Sequence, residues 1–168
     1  MAAPLIIVAL GANLPSRAFG APKATLTAAL ERFETAGLHV TARSRWYESE
    51  PVPKSAQPNF INAVVLIETT LAPAPLLAAL HQIEREFGRV RGVRNAARAI
   101  DLDLIAYGDK VTRGETVPLL PHPRMHERAF VLLPLREIAP RWYHPFLGRT
   151  VDQLIERLPR NQVARPVA

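Results

Sequence analysis

Ile100-Asp101-Leu102-Asp103-Leu104 alternates apolar and acidic side chains, and this pattern is typical of a β-strand at a core boundary. Successive side chains of a strand point to opposite faces, so both carboxylates lie on one face with Cα atoms about 6–7 Å apart. The three apolar residues then face the core. Two carboxylates this close repel each other unless a cation or an arginine lies between them.

Five arginines lie directly upstream of the two acids, and they bear on what the acids do. Magnesium typically binds one or two protein carboxylates together with substrate phosphates, and arginine forks around a polyphosphate accompany it in phosphoryl transfer. Two alternatives stay open at this point. The acids could lie solvated on an exposed edge strand, and the arginines could form a solvated loop or a nucleic-acid patch. The arginines are Arg85, Arg89, Arg91, Arg94 and Arg98.

Further strands and helices are predicted on both sides of this stretch, and their order indicates the fold class. Strands are predicted over residues 5–10, 39–48, 60–69 and 100–107, with helices from Pro22 to Gly37 and from Pro73 to Gly88. The order β-α-β-β-α-β predicts an α+β protein with a ferredoxin-like core, built on an antiparallel sheet. Extra C-terminal helices are predicted over 127–136 and 151–158. We expect residues 1–168 to form a single domain in which 159–168 are a tail.

Composition excludes several classes of protein. The chain has 168 residues, of which 48% are hydrophobic and 21% are charged, which excludes a disordered chain. It contains no cysteine, which excludes disulfides, thiolate metal sites and a thiol nucleophile. No apolar run is long enough to cross a membrane. We therefore expect a cytoplasmic protein without a membrane partner.

Three polar residues occupy positions that suggest chemistry. Glu84 lies on the apolar stripe of the second helix, where it either reaches water or points into a ligand cleft or at an arginine. His122 lies between two prolines, where a histidine is usually solvated, but arginines follow closely. Asn62 shares a strand face with Phe60, and an aromatic ring beside an amide could grip a flat heterocycle. Phe60 and Phe130 would otherwise be assigned to the core.

A series of short motifs follows in one order over about residues 5–145, and the ordered set resembles the 6-hydroxymethyl-7,8-dihydropterin pyrophosphokinase family. The most specific motifs are Arg98-Ala-Ile-Asp-Leu-Asp103 and Pro121-His-Pro123. The others are Gly11-Ala-Asn-Leu14, Ser44-Arg-Trp-Tyr47, Ser49-Glu-Pro51, Gln57-Pro-Asn-Phe-Ile-Asn62, Leu71-Ala-Pro73, Ile83-Glu84, Gly88-Arg-Val-Arg91, Arg128-Ala-Phe130 and Glu137-Ile-Ala-Pro140.

The resemblance implies an activity and a set of site residues. It implies transfer of pyrophosphate from ATP to 6-hydroxymethyl-7,8-dihydropterin in folate biosynthesis, giving AMP and the pterin diphosphate. ATP would be the co-substrate, and Asp101 and Asp103 would bind two magnesium ions. The implied catalytic residues are Arg89, Arg91, Arg98, Asp101 and Asp103. The implied nucleotide-binding residues are Glu84, Arg89, Arg91, Arg98, Leu104, His122 and Arg128. The implied pterin-binding residues are Ser49, Val52, Phe60, Asn62, Asp101 and Phe130.

Two rival functions share the predicted order of elements. An RNA-recognition module needs several aromatic residues on its third strand, but Phe60 is the only aromatic residue in 59–67. Asp101 and Asp103 on the fourth strand would also repel an RNA backbone. A regulatory small-ligand domain has no need to gather two acids and several arginines at one end. We therefore expect small-molecule substrates, no nucleic-acid partner and a monomer.

Overall fold

A computed structural model describes residues 3–88 and 100–167. The strands are β1 Ile6–Ala12, β2 His39–Arg43, β3 Tyr47–Ser49, β4 Phe60–Glu68, β5 Asp101–Tyr107, β6 Tyr143–His144, β7 Arg149–Thr150 and β8 Ala164–Pro166. The helices are α1 Pro22–Thr35, α2 Pro73–Gly88, α3 Ala129–Ile138 and α4 Val151–Glu156, with a 3₁₀ turn at Met125–Glu127. None of the helices in the described part of the chain is both long and apolar enough to span a bilayer.

The main sheet is antiparallel and confirms the predicted α+β class. Its strands follow the order β5-β1-β4-β3-β8, and β2 also pairs with β4. β1 therefore lies between β4 and β5, the strand that bears the alternating acids. Both crossover helices, α1 and α2, pack on one face of this sheet.

Helices cover both faces of the sheet, which explains why the first strand is a continuous apolar run. On β1, Ile6, Val8 and Leu10 pack toward α1 and α2. The intervening Ile7 and Ala9 pack toward α3 and α4. A strand that is buried on both faces needs apolar residues at every position.

The prediction of one strand over 39–48 is wrong, because the chain leaves the sheet between β2 and β3. The Ser44 hydroxyl accepts a hydrogen bond from the Val64 amide at 3.0 Å and so occupies a donor of β4. The Arg45 amide turns away and donates to Glu137 Oε1 of α3 at 2.9 Å. This contact joins residues far apart in sequence, so local strand propensity does not reveal it.

The prediction of a C-terminal tail over 159–168 is also wrong in part. β8 pairs antiparallel with β3, with Ser49 opposite Ala164 and Tyr47 opposite Pro166. The Val167 amide donates to the Trp46 carbonyl at 2.9 Å and extends the pairing. β3 would otherwise present an open edge to solvent, and the last described residues cover it.

Glu137 fixes the junction between β2 and β3. Its carboxylate accepts hydrogen bonds from the Arg45 amide at 2.9 Å, from Arg45 Nε at 3.1 Å and from the Tyr47 hydroxyl. Partial burial raises the pKa of Glu137, but the hydrogen bonds from Tyr47 and Arg45 outweigh it and lower the pKa below 4.5. Burial and the adjacent carboxylate raise the pKa of Tyr47 to about 12.

We predict that Glu137→Gln lowers the free energy of unfolding by about 1–2 kcal/mol at pH 7, the scale of a charge-assisted hydrogen bond that is partly solvated. A carboxyl with a lowered pKa stabilises the fold fully above the ordinary pKa of 4.5 and loses that effect as the pH falls through the folded-state value. The difference between variant and parent should therefore shrink below pH 4.5, as measured by urea unfolding.

Asp152→Asn is the matched control, because Asp152 forms an exposed ion pair with Arg136 at 3.7 Å. Exposed pairs of this kind contribute under about 1 kcal/mol. Equal losses of unfolding free energy in the two variants would contradict the stabilising role of the Glu137 carboxylate. A Glu137→Gln effect that does not change with pH would contradict it as well.

Candidate active site

A cavity of about 190 Å³ opens on the α3 side of the sheet, where β1, β3, β4 and β5 meet the start of α3. All six residues that the resemblance implies for the pterin lie on its wall, and so do Asp103 and Arg128. The six are Ser49, Val52, Phe60, Asn62, Asp101 and Phe130. The sequence scatters these residues over more than 80 positions, and the strand order brings them together.

The two acids of β5 lie on the predicted face. Asp101 pairs with Gly11 of β1, and Asp103 pairs with Ala9. Both carboxylates are partly exposed on the cavity wall, whereas Leu102 is buried in the core on the opposite face. Arg128 Nη1 lies 4.0 Å from Asp103 Oδ2, so a guanidinium from the described part of the chain stands beside this pair.

A buried amide forms the opposite end of the cavity. Asn62 is 4% exposed, and its Oδ1 accepts a hydrogen bond from Ser49 Oγ at 2.6 Å. Its Nδ2 lies above Gly11, where an added Cβ would approach to 2.9 Å. Gly11 therefore lets the amide approach the backbone of β1 closely. The family resemblance includes Gly11 in a motif but implies no role for it, although a glycine within a strand often marks a close approach.

Two aromatic rings complete the wall from different elements. Phe60 is the first residue of β4, and Phe130 lies in the first turn of α3. Both are partly buried, and the Arg128 guanidinium lies 5.5 Å from the centroid of the Phe130 ring. Rings and an amide around one cavity suit a flat heterocycle that carries polar groups on its edge.

Glu84 and Leu104 do not line this cavity. Glu84 is 8% exposed, and its Oε2 accepts a hydrogen bond from the Leu102 amide at 3.0 Å. The carboxylate therefore joins α2 to the backbone of β5. Leu104 is 4% exposed within the core beneath α1 and α2, so its side chain faces away from the cavity. Arg89, Arg91 and Arg98 lie outside the described residues.

His122 lies beside the outer part of β5, where its amide donates to the Ile105 carbonyl at 2.8 Å. Its Nδ1 accepts from the Arg124 amide at 3.1 Å, which leaves the proton of the neutral ring on Nε2. Burial, together with the positive charges of Arg128 and Arg124, lowers the pKa of His122 to about 4. The ring lines a neighbouring cavity and not the one that holds Asp101.

The carboxylates on the cavity wall suit a hard cation whose remaining ligands come from a bound substrate. In the described ranges, no group of three or more histidine, aspartate or glutamate side chains is arranged to hold a metal ion. Asp101 and Asp103 supply two carboxylates on one face, which is the number that magnesium commonly takes from a protein when phosphates complete its shell.

Comparison with known proteins gives a family match. The family model for 7,8-dihydro-6-hydroxymethylpterin-pyrophosphokinase matches residues 7–140. The 2-amino-4-hydroxy-6-hydroxymethyldihydropteridine pyrophosphokinase of Pseudomonas aeruginosa is 39% identical over 163 residues, which cover 95% of either chain. The enzyme of the same name from Haemophilus influenzae is 41% identical over 133 residues, 79% of either chain.

Other relatives are longer than this chain. The chain spans 20% of the folic acid synthesis protein fol1 of Pneumocystis carinii, which is 37% identical over 153 residues. It spans 62% of the Synechocystis pyrophosphokinase, which is 44% identical over 123 residues. Among solved structures, Plasmodium falciparum HPPK-DHPS wild type with STZ-DHP matches with a TM-score of 0.70 over 93% of this chain and 43% of that chain. At 14% identity, this match supports the fold alone.

We predict that His122 titrates with a midpoint of about pH 4 in the folded protein, well below the ordinary value of 6.5. Arg128→Gln should raise the midpoint, because it removes one of the two charges that disfavour the imidazolium. The measurement is the pH dependence of the imidazole ¹H–¹³C chemical shifts. Arg113→Gln, in the same loop, serves as the control and should leave the midpoint unchanged. A midpoint near 6.5 in the parent protein would refute the burial of this ring.

Proposed function

The chain belongs to the 7,8-dihydro-6-hydroxymethylpterin-pyrophosphokinase family, and from this membership we infer that it transfers pyrophosphate from ATP to 6-hydroxymethyl-7,8-dihydropterin in folate biosynthesis. The products are AMP and the pterin diphosphate. The observation that most supports this function is one cavity with two carboxylates on one wall and a buried amide with two aromatic rings on the others. The first group suits a metal-bound polyphosphate and the second suits a pterin.

The pterin lies between Phe60 and Phe130 in this proposal, and its polar edge meets the amide of Asn62. Ser49 occupies Oδ1 of that amide, so Nδ2 is the group turned toward the ligand. A buried amide whose orientation is fixed discriminates strongly, because a ligand without a matching acceptor leaves a donor unpaired. Val52 contributes an apolar contact at the rim of the same cavity.

The phosphate end of the reaction lies at Asp101 and Asp103. These carboxylates would hold two magnesium ions, and the ions would supply neutralisation of charge on the ATP phosphate oxygens. Arg128 adds a cation at the same wall, and its distances from Asp103 and from the Phe130 ring support a role between the nucleotide and the pterin. Arg89, Arg91 and Arg98 contact the triphosphate, while Glu84 supports β5 from beneath and His122 remains a neutral donor through Nε2.

The reaction is an in-line displacement at the β-phosphorus of ATP. The hydroxymethyl oxygen of the pterin forms the new P–O bond, the bond from the β-phosphorus to its bridge with the α-phosphate breaks, and AMP leaves with the bridging oxygen. The hydroxyl proton has two acceptors in this proposal: Asp101, which lies in the same cross-strand row as Gly11 and Asn62, or solvent, if bound cations lower the pKa of the hydroxyl. The residues around the cavity contribute by orienting the two substrates and by excluding water.

We predict that the protein forms AMP from ATP only when both magnesium and 6-hydroxymethyl-7,8-dihydropterin are present. Asp101→Asn and Asp103→Asn should each lower kcat by about 10²–10³-fold, since each weakens binding of the cations that would neutralise negative charge in the transition state. Separation of the nucleotide products by chromatography measures this. Asp109→Asn, which lies in the turn after β5, is the matched control and should retain full turnover. Formation of ADP would contradict transfer of the β-phosphorus.

Gly11→Ala should raise KM for the pterin about tenfold while KM for ATP stays unchanged, because its Cβ displaces Asn62 Nδ2 and costs about one hydrogen bond. Steady-state kinetics with each substrate varied in turn measures the split. Asn62→Ala removes the same contact, so Gly11→Ala should add little in the double variant. Independent, multiplicative effects of the two substitutions would show that Gly11 acts in some other way.

A further inference from the structure

A second, strongly basic groove adjoins the cavity on the far side of Arg128 and Phe130. It has a volume of about 580 Å³, and Val52, Arg128 and Phe130 line both it and the cavity. Three further arginines line only the groove: Arg124, Arg149 and Arg157. We call this surface the basic groove and define it by these four arginines.

The four arginines come from three regions of the chain that the fold brings together. Arg124 precedes the 3₁₀ turn, Arg128 precedes α3, Arg149 lies in β7 and Arg157 follows the last turn of α4. Convergence of the two ends of the 3₁₀ turn, β7 and the end of α4 distinguishes the groove from a charged run along one helix.

Two hydrogen bonds of the Gln162 side chain stabilise one wall of the groove. Gln162 Oε1 accepts a hydrogen bond from the Ala129 amide at 2.8 Å, and Gln162 Nε2 donates to the Glu127 carbonyl at 2.5 Å. These bonds tie the segment before β8 to the start of α3. Both bonds come from the Gln162 side chain, which therefore supports the wall that carries Arg128.

Among the described residues, carboxylates form an ion pair with only one of these four cations. Within residues 3–88 and 100–167, Arg128 forms an ion pair, at 4.0 Å from Asp103, but Arg124, Arg149 and Arg157 form none. Glu127 is the one acid on the described wall, and it lies 3.7 Å from His126 Nε2. By contrast, Arg32 and Arg45 pair closely with Glu86 and Glu137.

We propose that the basic groove is a second anion-binding site, which takes the diphosphate group of a small molecule without needing a divalent metal. Planar guanidinium forks match phosphate oxygens, and several of them can share a diphosphate. The groove has no aspartate pair that would demand a cation before an anion could enter. Its volume of about 580 Å³ leaves room for a diphosphate and an attached group.

Two sources could supply this diphosphate. One of them depends on the wall that the groove shares with the cavity. Inorganic pyrophosphate could enter from solvent. The pterin diphosphate could also place its charged end there by passing across Arg128 as it leaves the cavity, an origin that rests on the proposed function. In both cases the ligand chemistry is the same, and the recognising groups are the arginines.

The test is calorimetric titration of the full chain with inorganic pyrophosphate in the presence of EDTA. We expect binding without magnesium, and we expect Arg149→Gln/Arg157→Gln to weaken it at least tenfold. Arg113→Gln/Arg141→Gln removes the same net charge outside the groove and should leave the affinity nearly unchanged. Arg149→Lys/Arg157→Lys keeps the charge but loses the forks, and it should give an intermediate affinity.

Equal weakening in both glutamine double variants, or pyrophosphate binding that requires magnesium, would overturn the proposal. Unfolding midpoints of all variants should match the parent, since these side chains pair with no acid. A competition titration then separates the two sources. If the pterin diphosphate displaces bound pyrophosphate, the groove is assigned to the product. If pyrophosphate stays bound, the groove is assigned to free diphosphate. The titration needs no turnover, so its failure is distinct from a failure of the AMP assay.

Discussion

The alternation of side chains along β5 is the constraint on which the rest of the site depends. Leu102 and Leu104 are buried beneath α1 and α2, which leaves Asp101 and Asp103 no face other than the cavity wall. A slip of one residue would drive both carboxylates into the core, at a cost of several kcal/mol for each. The hydrogen bond from the Leu102 amide to Glu84 reinforces this register from the helix beneath. Core packing therefore determines where the acids lie.

The parts of the fold that follow from local pattern were predictable, and the parts that depend on distant contacts were not. The apolar run of β1 and the alternation of β5 identify strands by themselves. The break between β2 and β3 depends on a carboxylate at Glu137, 92 residues from Arg45. β8 is only three residues long and carries no pattern of its own, so its pairing with β3 follows from an open edge and not from propensity.

The same division holds for the site. The carboxylate pair and the strand face shared by Asn62 and Phe60 were visible as local patterns, and the family resemblance added Phe130 and Val52. The position of Gly11 under the amide depends on the pairing of β1 with β4, which no local pattern gives. The basic groove was equally hidden, because its arginines are spread over 34 positions from Arg124 to Arg157 and converge only through α3 and α4.

The acids of β5 also bear on how the molecule behaves at high concentration. β5 and β8 are the two ends of the sheet order, where unpaired backbone groups invite strands from other molecules and so aggregation. On β5, paired acids repel the like acids of a second copy, and the His122 amide occupies the carbonyl of Ile105. β8 is short, and Pro166 has no amide hydrogen to donate. The two carboxylates proposed to hold the substrate phosphates thus also disfavour pairing of β5 with a strand of a second molecule.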